Sequence, residues 1–192
     1  MRLEEGCVRH LRNASYTERQ PRGSPLSDLQ SSLTVARVAV DEMIATAAAC
    51  AVAWAVPAAP KKWSPAQVTE HVARSLEEAA VDLTGLRSKM PNLPWPLRFV
   101  ARKLLFERVL ARGVFPRAKT NKAMDPETGP ESPSAASLRL VAAWRTFAEA
   151  CRVRSADSSF AASRTFGAVP LADVVRFQEI HTRHHRAQMT RR

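Results

Sequence analysis

The chain has 192 residues, a formal net charge of +11, 45% hydrophobic residues, one tyrosine and three cysteines. That length gives one domain with a core of ordinary size, and the abundance of alanine favours helix over strand. Cys7, Cys50 and Cys151 are widely spaced and odd in number, which excludes a disulfide framework or a Cys-rich zinc cluster and points to reduced thiols in a cytoplasmic protein.

Residues 1–26 mix Arg, Glu, Ser and Pro without periodicity or the apolar run of a secretory signal, and are expected to be a flexible extension ahead of a helical domain over 27–192. Ser27 or Asp28 can cap a first helix running to about Trp54, with Leu29, Leu33, Ala36, Val40, Ile44 and Ala47 at helical spacing. Its uncharged stretch, Met43 to Ala59, is largely alanine and ends near Pro57 and Pro60, so it reads as a core helix and not as a membrane span. Ser64-Pro65-Ala66-Gln67 is the clearest helix start in the chain: a capping serine, proline at the first helical position and the glutamine of a capping box. The second helix carries Val68, Val72, Leu76, Ala79 and Leu83 on one face, with His71 at its edge. A lone histidine there is more often a satisfied core group than a ligand, and becomes a ligand only if two others meet it.

Met90 to Pro96 breaks the pattern, and a basic helix follows from Leu97 to Arg112, stopped by Gly113. Between Arg87 and Lys122 ten Lys or Arg stand against one acid, Glu107, so this segment carries +9 of the net charge. An anionic substrate or a solvated face accounts for it; nucleic acid is not expected, because no recognisable nucleic-acid fold or stacking platform accompanies the charge. Residues 113–133 form a long loop. Ser134 is expected to open a third bundle helix with Leu138, Val141, Ala142, Ala148 and Cys151 inward and Trp144 and Phe147 nearby. Val153 to Arg164 reads as a polar connection, and Phe166 to Pro170 as a tight entry into the last helix.

On that last helix Leu171, Val174, Gln178, His181 and His185 form one stripe that begins apolar and ends in imidazole. At about 100° per residue His181 and His185 project about 40° apart, one turn from each other, so they can share a metal ion. Zinc hydrolases with this spacing place a glutamate after the first histidine; Thr182 stands there instead. The pair is a candidate metal site without a general base of its own, unless these imidazoles merely complement the helix end.

Two motifs carry a family resemblance. Trp63-Ser64-Pro65-Ala66-Gln67-Val68-Thr69-Glu70-His71 resembles the W-S-x-x-x-[VI]-x-x-H opening of the second helix in the DinB/YfiT-like superfamily, and His181-x-x-His184-His185-Arg186-x-Gln188 resembles its closing H-x-x-H-H-R-x-Q. The resemblance covers roughly residues 27–190. It implies an all-α, antiparallel four-helix bundle with a long crossover, here carrying the extra basic helix, and one divalent metal bound by His71, His181 and His185. Zinc comes first, with nickel or iron as alternatives; His184 would be a non-ligand neighbour and Gln188 a hydrogen-bond partner of a ligand. The characterised classes it implies are thiol-dependent S-transferases, a thiol-dependent isomerase and metal-dependent hydrolases, hence a small-molecule substrate, for the first two a low-molecular-weight thiol, and a homodimer. A non-catalytic metal-binding bundle is the rival reading. Neither a membrane nor nucleic acid is expected as a partner.

Overall fold

The structure, a computed structural model, describes residues 25–116 and 121–189; the expected N-terminal extension up to residue 24 and Lys119 lie outside them. Four long helices build the core: α1 (Pro25–Ala49), α2 (Pro65–Leu83), α5 (Pro133–Asp157) and α6 (Leu171–Met189). Between α2 and α5 the crossover carries two short helices, α3 (Trp95–Ala101) and α4 (Glu107–Arg112), and a two-stranded hairpin, β1 (Phe160–Ser163) with β2 (Gly167–Pro170), joins α5 to α6.

Each long helix packs on two neighbours, α1 on α6 and α5, α2 on α5 and α6, so that chain neighbours α1 and α2 lie across a diagonal. Side-chain pairs fix the directions. Arg183 and Arg186 both reach Glu42 at 2.5 Å, which lays the C-terminal halves of α1 and α6 together. Ser75 donates to Gln178 at 3.3 Å while His71, one turn earlier on α2, meets His181, one turn later on α6, so α2 runs against α6. Trp54, just past α1, donates its indole N–H to the Pro130 carbonyl at 2.7 Å, just ahead of α5. The long crossover returns the chain to the end where α2 began, and α2 and α5 therefore run the same way, tied by Arg139 between Glu70 and Glu77.

Phe147, Met43, Leu76, Leu140, Leu171 and Val72 are fully buried at the centre, each contributing roughly 1.5–3 kcal/mol of apolar burial. The capping box of α2 forms as the sequence indicates: the Ser64 side chain accepts from the Gln67 N–H while the Gln67 side chain accepts from the Ser64 N–H.

The structure corrects several local expectations. α1 begins at Pro25 and stops at Ala49, where the chain tightens into a 3-10 turn at Ala51–Ala53 and does not run on to Trp54. α5 is capped by Ser132, not Ser134, and continues to Asp157. Ala148 and Cys151 are buried as expected, with Trp144 and Phe147, but in the first half of the helix the inward positions are Ala136, Leu140 and Ala143, whereas Leu138 is 76% exposed and Ala142 is exposed too. Alanines sit nearly all round this helix, so apolar periodicity alone does not orient it. The polar connection and tight entry form a hairpin in which Ala161 pairs with Val169, both buried. With four residues per strand and one inward apolar side chain in each, it is too short for alternation to register. The basic helix starts at Trp95 and is interrupted between α3 and α4 by a π-helical turn, Arg102–Phe106, before Gly113 ends it at φ 65°.

The loop after α4 returns over the start of α2. A 3-10 turn, Lys122–Met124, is capped by the Asn121 side chain, and Gln67 donates to the carbonyls of Pro126 and Glu127 at 3.1 and 3.2 Å. Gly129 lies against the Ala66 backbone, where a Cβ would overlap the carbonyl group. No helix among the described residues is long and apolar enough to cross a membrane.

Candidate metal centre

His71 stands on the second turn of α2, whose start the capping box fixes. Its Nδ1 lies 2.8 Å from the Met124 carbonyl oxygen. A carbonyl only accepts, so Nδ1 carries the proton and Nε2 presents a lone pair. His185 is held in the same way: its Nδ1 donates to Gln188 Oε1 at 3.0 Å, and the Gln188 amide donates in turn to His184 Nε2 at 3.0 Å. Between these two rings sits His181, with its Nε2 3.2 Å from His71 Nε2 and 3.1 Å from His185 Nε2.

Three imidazole Nε2 atoms thus converge on one point, and all the ligand atoms lie within 4.8 Å of one another. Neutral rings with two lone pairs pinned inward repel at that spacing, and a proton on His181 Nε2 can serve only one of the other two well. A cation answers all three. Tetrahedral ligands at Zn–N distances near 2.05 Å stand about 3.3 Å apart, close to the separations found here. His181 Nδ1 is buried and has no hydrogen-bond partner among the described residues; this ring is placed by packing, edge-on to Phe115 at 5.1 Å between centroids. The donor set therefore fits a divalent ion such as zinc, with imidazole nitrogen equally suited to nickel or iron.

Burial pushes all three imidazoles towards the neutral form that a ligand needs. The pKa of His71 is lowered, that of His181 is lowered further, and that of His185 falls to about 3, with neighbouring histidine charge adding to the effect of burial at the last two. The sign is that of a depressed base: the unfolded chain takes up protons near pH 6.5 while the folded chain does not, so stability falls as pH drops below about 6.5. His185 alone should cost the metal-free protein about 2 kcal/mol between neutral pH and pH 5. Urea unfolding of chelator-treated protein at the two pH values measures it.

The site opens into a cleft of about 1270 Å³ whose lining includes Trp63, Phe106, Phe115, Phe166 and Phe177. Trp63 covers the centre, 4.7 Å from the His71 ring and 6.0 Å from the His185 ring, and donates its indole N–H to Asp125 at 3.1 Å. Asp82 is the one carboxylate among the lining residues. It lies eleven residues beyond His71 on the same helix, roughly 16 Å away along the axis, and takes up the Arg164 N–H at 3.3 Å. Burial raises its pKa. Lys61, Lys62 and Arg183 also line the cleft, the last engaged by Glu42 and Glu179.

Residues 36–189 match the family model of the DinB superfamily. The chain belongs to the DinB superfamily. Comparisons with curated proteins and with solved structures gave no match. In this DinB-superfamily protein the three histidines singled out from sequence meet at one point, Gln188 hydrogen-bonds one of them, and His184 lies on the far side of Gln188. Glu179 is turned away from the centre onto Arg183. Sequence reasoning missed Met124, Asp125 and Phe115, which the crossover brings to the site from about fifty residues along the chain. Their only signal was the length of loop 113–133, since a structureless loop of that size in a compact domain usually has work to do.

The glutamine makes a direct test. Gln188 is exposed, so Gln188→Leu should leave the fold intact, free the His185 ring to rotate and weaken metal binding by about 10–100-fold. Competition with a chromogenic chelator reads the change.

Proposed function

We propose that this DinB-superfamily protein is a metal-dependent enzyme in which His71, His181 and His185 hold one divalent ion with a further position open to the cleft, and that it transfers a low-molecular-weight thiol to an apolar acceptor. The observation that carries the reading is the convergence of three Nε2 atoms, two of them pinned as lone-pair donors by Met124 and Gln188. The ion would supply Lewis acidity, sufficient to keep a thiol deprotonated near neutral pH.

The protein's own groups favour the thiol class over the hydrolase class. A hydrolase needs a positioned base to steer water; the one carboxylate among the lining residues, Asp82, lies at the other end of the cleft, held by the hairpin backbone, and Asp125, nearer the centre, is engaged by the Trp63 indole. A thiol is already acidic enough to do without one. The cleft also exceeds the volume of a typical single-ligand pocket, about 300–1000 Å³, which suits two reactants. Its phenylalanine wall excludes water and accommodates an apolar body, while Lys61 and Lys62 suit an anionic group on either substrate. The non-catalytic reading leaves that wall without a purpose.

Mixing the zinc-loaded protein with a small thiol and a chloronitrobenzene acceptor tests the proposal. Thioether formation that stops on chelation and returns with metal supports it; a fully loaded protein that accelerates no thiol transfer with a panel of thiols contradicts it.

A further inference from the structure

Six of the fourteen large hydrophobic side chains exposed among the described residues lie between Trp95 and Val114. Trp95 is 79% exposed and Leu104 64%, and Leu97, Phe99 and Val100 are about half exposed. Leu97, Val100 and Leu104 follow helical spacing (i, i+3, i+7) and share one outward face, whereas Phe106 and Val109 are buried against the bundle. Lys103 and Arg108 flank that outward stripe, with Arg112 one turn further on. Arg108 and Arg112 form no ion pair among the described residues, and the one acid of the helix, Glu107, pairs with Lys103 at 2.8 Å.

We infer that the outward face of the Trp95–Arg112 helix docks on an anionic lipid surface, lying in the plane of the headgroups. An interfacial helix needs apolar side chains to bury and cations to meet lipid phosphates, with tryptophan at the boundary; all three occur here on an element roughly 27 Å long. Charge also sorts the other occupants. A second copy would bring two basic helices together on a chain of net charge +11, so self-association through this face is opposed. A nucleic-acid backbone would satisfy the cations but leave Leu97, Val100 and Leu104 facing water. The expectation of no membrane partner rested on the absence of a spanning segment, and a peripheral helix does not need one. The opposite side of the same helix, through Leu105 and Phe106, lines the cleft, so docking would place the cleft close to apolar molecules dissolved in the bilayer.

Vesicle flotation of the full-length protein tests the inference. Vesicles of equimolar phosphatidylglycerol and phosphatidylcholine should retain the protein at low salt, and pure phosphatidylcholine should not. Raising the salt to 0.5 M should release it, and Arg108→Gln should weaken binding about fivefold. The exposed pair Val100→Asp with Leu104→Asp should abolish binding with unchanged circular dichroism and melting temperature. The inference is overturned if the wild-type protein stays off anionic vesicles at low salt, as it would if an acidic protein were the partner. Equal binding to both vesicle types overturns it as well, and so does aspartate substitution that dissociates a dimer while vesicle binding persists.

Discussion

Replacing His71 with alanine should weaken divalent-metal binding by a hundredfold or more while leaving the metal-free bundle folded. Zinc sites in small domains bind with about 10–16 kcal/mol, so losing one of three protein ligands removes roughly 3 kcal/mol, a factor of about a hundred. The deciding readout is the gain in stability on adding zinc. A histidine serving the core would leave a cavity on truncation, costing about 2 kcal/mol with or without metal. His71 is itself buried, donates to the Met124 carbonyl and packs on Trp63, so its truncation carries that cost in the metal-free protein too, and a ligand role shows only in the response to zinc. The chelated His71→Ala protein is therefore expected to unfold below the wild-type urea midpoint, by about 2 kcal/mol of stability, and the midpoint gain on adding zinc is expected to vanish, whereas a purely core histidine would leave that gain intact. Urea unfolding with and without zinc separates the two outcomes.

Gly129→Ala should destabilise the protein by about 3 kcal/mol, although it adds one methyl in a loop. The methyl would overlap the Ala66 carbonyl in the first turn of α2. Neither side moves easily, since the capping box fixes the helix start and the Gln67 amide clamps the loop through Pro126 and Glu127. Overpacking of that kind costs about 1–3 kcal/mol, and most where backbone meets backbone. The same loop carries the Met124 carbonyl that orients His71. Metal affinity should consequently fall together with the melting temperature, although Gly129 touches none of the three histidines. Calorimetric melting and a zinc titration on the same preparation check the coupling.

How far the sequence disclosed the site follows from which interactions are local. Ser64, Pro65 and Gln67 act within one helical turn, and His181 and His185 within another, so spacing alone placed both. His71 was ambiguous on its own face and acquired a role through its partners on α6. The Met124 carbonyl could not be read in advance, because a main-chain acceptor leaves no mark on residue type. Phe115 and Trp63 cover the site through contacts between distant segments, and α5 hid its inward face behind alanines that fit either side. The π turn at Arg102–Phe106 has no compositional signal, yet it lies within the helix that presents Leu104 outward and Phe106 inward.

The function proposed for this protein depends on its metal centre. Calorimetric titration of zinc into chelator-treated protein, beside His185→Ala, tests it most directly. About one ion bound per chain by the wild type, with binding lost in the variant, is the expected result. Equal zinc binding by the two proteins, or none by either, would contradict it.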